Sequence, residues 1–160
     1  MPKLHLLRHG IARREGTNPP LSDEGMLQME TEAAGMKRLR LTFDVIFTSP
    51  VRRAKQTALI VAEALGGAVP IEISEALAPG CRLSELGSLF DAHREARSIL
   101  LVGHQPDMGR IAADLTGAQE TLSLERGALC RLEVLGWPPR APATLERVLG
   151  PDFLREQAGR

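Results

Sequence analysis

Three short segments of this chain carry side chains suited to handling a small anion: Arg8-His9-Gly10, Ser49-Pro50-Val51-Arg52-Arg53 and Gly103-His104-Gln105-Pro106. Arginine presents a planar fork of donors that grips phosphoryl oxygens in pairs, each charge-assisted bond contributing about 1.5 to 3 kcal/mol. A neutral imidazole held in line with phosphorus can attack it. A second imidazole, once protonated, can bind the equatorial oxygens on which charge gathers in the transition state. Arg8 with an arginine of the Arg52-Arg53 pair, together with His9 and His104, therefore suits phosphoryl transfer with no metal or cofactor required. A histidine taken singly is more often structural than catalytic, and it is the company of the other three that lifts His9 above that reading.

The remaining histidines and arginines read differently. His5 precedes His9 on what the pattern predicts to be a strand, where a rise of about 3.3 Å per residue puts the two roughly 13 Å apart, too far to share one ion. His5 is expected to be a packed side chain, and His93, within Asp91-Ala92-His93-Arg94-Glu95, part of a solvated helical face. Arg13 and Arg14 fall in a polar loop, with a place at a pocket rim as the alternative.

The elements that must position these residues follow from hydrophobic periodicity. Lys3 to Arg8 is a short apolar run closed by Gly10, which predicts a buried strand feeding a turn. Gly10 is expected to turn the chain sharply, through backbone angles closed to other residues, so that Arg8 and His9 are presented together. Ser22 can cap a helix near 22–38 whose apolar face is Met26, Met29, Ala33 and Met36. Phe43 to Thr48 reads as a second strand, and Ala54, Ala58, Val61 and Leu65 mark a helix that stops at Gly66-Gly67. Val69 to Ile73 is a weaker strand, and Leu83 to Ala96 is expected to be helical. Ser98 to Val102 has the continuous apolar character of a central parallel strand. Met108, Ile111, Ala112 and Leu115 form one helix face ending at Gly117, and Ala128 to Leu135 and Thr144 to Leu149 are strand-like. Alternating strands and helices predict an α/β layered domain with a largely parallel sheet, and ligands in such domains sit at the carboxyl ends of strands. Each of the three reactive segments follows a predicted strand, so their tips should face one crevice.

Size and composition limit the alternatives. A chain of 160 residues and 17.4 kDa, with 43% hydrophobic and 25% charged residues, is read as one folded domain over residues 1–160. Lys plus Arg equals Asp plus Glu at 20 each, so nucleic acid and anionic membrane surfaces find no net attracting field. Cys81 and Cys130 lack ligand-like spacing and are expected to be incidental thiols of a reducing compartment. No signal-peptide core or membrane span is evident, which makes the cytoplasm the default location. Oligomeric state is not legible.

The three segments taken together resemble the histidine phosphatase superfamily. Its marks are a strand ending in Arg-His-Gly, a later Ser-Pro-x-x-Arg-Ala-x-Gln-Thr at a helix start, and a strand ending in Gly-His. These stand here as Leu7-Arg8-His9-Gly10, Ser49-Pro50-Val51-Arg52-Arg53-Ala54-Lys55-Gln56-Thr57 and Val102-Gly103-His104. The resemblance implies a three-layer α/β/α sandwich of the histidine phosphatase and phosphoglycerate mutase type. It implies that His9 becomes a transient phosphohistidine, that Arg8 and Arg53 bind phosphate, and that His104 completes the pocket. Motif spacing selects Arg53 over Arg52, which is expected to be exposed. Pro20-Leu21-Ser22-Asp23-Glu24-Gly25-Met26-Leu27-Gln28 matches the family's Leu-Ser/Thr-x-x-Gly-x-x-Gln helix start, which orients the loop over the site.

Within the superfamily the chain is most similar to the short SixA-type phosphohistidine phosphatases. The insertion by which larger members supply a proton donor is absent, and Glu85, in Leu83-Ser84-Glu85-Leu86-Gly87, is the nearest candidate acid. An alkoxide leaving group needs a proton as its bond to phosphorus breaks, whereas imidazole leaving from a phosphoramidate needs little help. The expected substrate is therefore a phosphohistidine-bearing protein. The alternatives are a small phosphorylated molecule, or a non-catalytic phosphate-binding regulatory role.

Overall fold

The computed structural model describes residues 1–160. In chain order the strands are β1 (Lys3–Arg8), β2 (Val45–Thr48), β3 (Ile71–Ile73), β4 (Ser98–Gly103), β5 (Leu129–Glu133) and β6 (Thr144–Leu149). The helices are α1 (Asp23–Arg38), α2 (Arg52–Ala64), α3 (Asp107–Thr116) and α4 (Pro151–Ala158). All six strands form one sheet in the order β3-β2-β4-β1-β5-β6. The pairs β3–β2, β2–β4 and β4–β1 are parallel, and β5 runs antiparallel to both β1 and β6. The sheet is thus mostly parallel and sandwiched between helices, as the alternating pattern predicted.

Side-chain alternation along the central strands sorts the core into two layers. Leu4 and Leu6 of β1, Val45 and Phe47 of β2, and Ile99 and Leu101 of β4 face α3 (Met108, Ile111, Leu115) and the segment carrying Leu77, Leu86 and Phe90. Leu7, Ile46, Leu100 and Val102 face α1, α2 and α4 through Met29, Met36, Ala58, Val61 and Leu154. The continuous apolar runs of β1 and β4 are explained by this burial on both faces.

Local chemistry sets the helix ends. Ser22 Oγ accepts from Gly25 N–H at 3.0 Å to cap α1, which has Asp23 and Glu24 in its first turn and Lys37 and Arg38 in its last, matching the helix dipole at both ends. Gly117 ends α3 in the left-handed conformation at φ 78°.

Three expectations need correction, and one helix lay outside them. Leu83 to Ala96 is not an α-helix but two 3-10 segments, Leu83–Glu85 and Gly87–His93. Gly87 and a lack of side-chain caps leave that stretch to be shaped by Leu86 and Phe90 packing under the sheet. His93 is not on a solvated helical face. Its ring meets Phe47 edge-on at 5.3 Å and its Nε2 lies 2.7 Å from Glu72 Oε2. Gly10 does not adopt a positive φ. It is needed because a Cβ there would stand 2.6 Å from Met29 Cγ and 3.2 Å from Gln28 Oε1, so the strand end can lie against α1 only without a side chain. Finally, α4 went unrecognised. Its signals were Gly150 before Pro151, a proline at the first helical position. It packs so closely on α1 that a Cβ on Gly35 would be 1.9 Å from the Leu154 carbonyl oxygen.

His5 is buried as expected, edge-on to Phe43 at 4.9 Å. Cys81 and Cys130 are both buried free thiols whose pKa burial pushes up to about 12, which makes them inert. No helix is long and apolar enough to cross a membrane.

Candidate active site

The sheet order brings the three reactive segments to one edge. β4 lies between β1 and β2, and its ladders continue one residue past the strand ends. His9 N–H donates to Gly103 O, and Ser49 N–H donates to Val102 O, each at 3.1 Å. The residues that follow these strands are thereby locked side by side. His9 and His104 have ring centroids 5.3 Å apart with planes at 62°, and Arg53, from the first turn of α2, donates from Nε to His9 Nε2 at 3.2 Å. Arg8 donates from one terminal nitrogen to Leu124 O at 2.9 Å, while its Nε is buried without a partner. Arg8, His9, Arg53 and His104 therefore form one cluster. Arg52 is exposed, with only its backbone N–H held, by Asn18 Oδ1 at 3.2 Å. Glu85 is exposed and has no hydrogen bond to the cluster. Arg13 and Arg14 are exposed in the loop, Arg13 standing 3.9 Å from Asp23.

The hydrogen bonds fix the tautomer of His9. His9 Nδ1 lies 2.7 Å from Gly10 O, and a carbonyl only accepts, so the ring proton is on Nδ1 and Nε2 keeps its lone pair. Arg53 points a donor at that lone pair. Burial, followed by the charges of Arg53 and Arg8 and the nearby His104, lowers the His9 pKa to about 4 against the pull of the Gly10 carbonyl. His9 is only 8% exposed, so it is not at the solvent-facing position expected of a strand end. The pKa of His104 is likewise lowered to about 4, by burial and then by Arg53 and Arg8. Its Nε2 is 2.8 Å from Ser49 Oγ, and its Nδ1 is buried and unpartnered. At neutral pH the cluster thus holds two neutral imidazoles and two guanidinium groups, with unpartnered polar atoms on Arg8 and His104. A dianionic phosphoryl group would supply partners for both atoms and would raise the His104 pKa toward protonation.

Further residues around the cluster hold this arrangement. Gly10 N–H donates to Thr57 Oγ1 at 3.2 Å, and Thr57 Oγ1 donates back to Arg53 O at 2.8 Å, tying the strand end to α2. Gln28, 5% exposed, accepts from Ile11 N–H at 3.0 Å and donates to Arg126 O at 2.9 Å. A Cβ on Gly25 would stand 1.9 Å from Ile11 O, so the Leu21-Ser22-x-x-Gly25-x-x-Gln28 pattern works as a cap, a close approach and a clamp on the loop after His9. Ser49 and Thr57 were visible within Ser49-Pro50 and Gln56-Thr57, but only the fold shows whom they bind. No group of three His, Cys, Asp or Glu side chains is placed to hold a metal ion.

A cleft of about 1040 Å³ lies elsewhere, lined by Gly80, Arg82, Asp107, Arg110, Asp114 and Arg140 among others. It contains none of the four clustered residues. Asp107, three residues past His104, adjoins it and accepts from Gly80 N–H at 2.8 Å. A phosphoryl group is small and needs convergent donors more than a large cavity.

The fold and this cluster define an α/β phosphoryl-handling domain, and comparison with known proteins agrees. Residues 4–79 match the family model for the histidine phosphatase superfamily (branch 1). An uncharacterized protein of Picosynechococcus sp. is 35% identical over 124 residues, which cover 73% of this chain and 74% of that one. The chain belongs to the histidine phosphatase superfamily. Among solved structures, the protein histidine phosphatase SixA complexed with tungstate superposes with a TM-score of 0.83 at 20% identity, covering 95% of this chain and 99% of that one. The alpha-ribazole phosphatase of Shigella flexneri superposes with a TM-score of 0.75 at 17% identity, covering 93% and 96%. These two likenesses are of fold.

Proposed function

We propose that the chain is a SixA-like phosphohistidine phosphatase acting through a phosphohistidine intermediate on His9. The observation that carries this is the His9 ring, with its proton on Nδ1 against Gly10 O and its Nε2 lone pair aimed at the Arg53 donor. In the first step Arg53 turns from that lone pair to a phosphoryl oxygen, and Nε2 attacks phosphorus. The new N–P bond forms as the bond to the leaving group breaks, with Arg8, Arg53 and His104 on the equatorial oxygens. The phosphorylated His9 ring becomes cationic, and its Nδ1–H bond to Gly10 O strengthens accordingly. In the second step water attacks phosphorus, the N–P bond breaks and phosphate departs, leaving His9 neutral again.

The leaving group is the finer part of the reading. A leaving imidazole departs neutral once its other ring nitrogen has taken a proton from solvent, so it asks for no enzyme acid. Glu85, the one candidate acid, is exposed and unconnected to the cluster, which supports the phosphoramidate reading over a phosphomonoester. A small-molecule phosphomonoesterase remains the second reading because the same pocket handles either bond, and the alpha-ribazole phosphatase shares the fold.

Turnover of a histidine-phosphorylated peptide should exceed that of a panel of phosphate esters, and acid quenching is avoided by trapping the phosphoenzyme in base. The expected trapped species is acid-labile, base-stable, maps to His9 and is absent from a folded His9→Ala variant. Preference for an ester would replace the substrate assignment, and near-wild-type turnover by His9→Ala would refute the nucleophile.

A further inference from the structure

The turn Glu125-Arg126-Gly127 is fastened to the end of β1. Gly127 N–H donates to both the Arg8 and His9 carbonyl oxygens at 3.1 Å, and Arg126 O accepts from Gln28 Nε2 at 2.9 Å. Just before it, Leu124 O accepts from the Arg8 guanidinium at 2.9 Å. This backbone strap places Arg126 beside the phosphoryl pocket whatever its side chain does.

That side chain is exposed and takes part in none of the structure's ion pairs. The neighbouring Glu125 is exposed and equally unpaired. Arg126 nonetheless stands near enough to Arg8 for its charge to lower the Arg8 pKa, second only to burial. Backbone ties thus hold Arg126 close enough for its positive charge to act on Arg8, and neither arginine is paired with a carboxylate, so the like charges repel until an anion arrives. Arg8 and Arg53 already match the charge of one phosphoryl dianion. The third arginine leaves positive charge for another group.

We propose that Arg126 forms a second anion subsite, which takes a carboxylate carried by the substrate next to the transferred phosphoryl group. In a protein substrate the carboxylate is an acidic residue flanking the phosphohistidine, and in a small molecule it is a carboxylate a few bonds from the phosphate. The proposal rests on the reading of Arg8, His9, Arg53 and His104 as the phosphoryl pocket, and it adds selection among substrates to that reading.

Two paired comparisons test it on the intact chain. Methyl phosphate and phosphoglycolate differ by a carboxylate, and their affinities are measured by calorimetric titration. Histidine-phosphorylated peptides with Glu or with Gln beside the phosphohistidine are compared by KM. An exposed ion pair of this kind gives about a fivefold preference for the carboxylate-bearing partner, diminishing as salt is added. Arg126→Ala should reduce the preference to less than twofold, Arg126→Lys should retain it, and Arg126→Glu should invert it. A gain confined to phosphoglycolate assigns the subsite to small substrates, and one confined to the peptides assigns it to proteins. Absence of a preference in both pairs, or its survival in Arg126→Ala, overturns the subsite while methyl phosphate still binds. Failure of methyl phosphate to bind at all overturns the pocket reading and the subsite with it.

Discussion

Replacing Glu32 by Gln should stabilise the protein in a pH-dependent way. Glu32 is on α1, one turn beyond Gln28, with 0% exposure and no hydrogen-bond partner for either carboxylate oxygen. One of its oxygens lies against Gly127, where a Cβ would be only 2.4 Å away. Burial raises its pKa from 4.5 to about 8, against the pull of Gln28 and Arg155. The folded pKa lies above the unfolded one, so stability is fully present below about 4.5 and is lost as pH rises through about 8. At pH 7 the folded protein still holds a proton that the unfolded chain has released. The linked cost is about 2 to 3 kcal/mol after allowance for relaxation around the carboxyl. Gln keeps the neutral shape and releases no proton. Glu32→Gln should therefore raise Tm by roughly 5 to 10 °C at neutral pH, with the gain vanishing near pH 4.5. Thermal unfolding followed by circular dichroism from pH 4.5 to 8.5, wild type against variant, reads the difference directly. An offset that stays constant across that range would refute the buried neutral carboxyl, because a packing effect has no reason to titrate.

Two further outcomes concern the site. Arg53→Ala should reduce kcat/KM by about 10² to 10³, the usual consequence of removing one preorganised donor from a developing oxyanion, whereas Arg52→Ala should cost less than about threefold because that side chain is exposed and unpaired. The reverse ranking in steady-state assays would move the pocket role to Arg52. Because kcat/KM reports the free enzyme and free substrate and His9 must be neutral to attack, activity toward an acid-stable phosphate ester, corrected for the ester's own second ionisation, should hold on acidification until pH nears about 4. A limb centred near the ordinary histidine value of about 6.5, in protein still folded by circular dichroism, would show that burial does not depress His9.

The sequence by itself determined much of this protein. The short apolar run of β1 announced a buried strand, the continuous run of β4 announced a central parallel one, and the spacing of Met29, Ala33 and Met36 announced α1. Reactive residues placed directly after such strands marked His9, Arg53 and His104 as candidates, because parallel strands share one carboxyl edge. Periodicity reports only which face is apolar, however, and it failed where structure is set by close approach. Gly10, Gly25 and Gly35 are glycines because α1 presses on the strand end, the loop and α4, and no local pattern reveals a neighbour distant in sequence. The 3-10 segments between Leu83 and His93 follow from Leu86 and Phe90 anchoring a capless stretch.

Tertiary structure alone decided the state of the site. The tautomer of His9 depends on Gly10 O, and the setting of His104 depends on Ser49 reaching it from a different strand. Arg126, which carried no motif, is delivered by Gly127 bonding to Arg8 and His9 across more than a hundred residues. Residue types can be read along the chain, but burial, charge pairing and hydrogen-bond direction are properties of neighbours in space. Those properties set His9 apart from the other three histidines as a neutral imidazole with its lone pair facing Arg53.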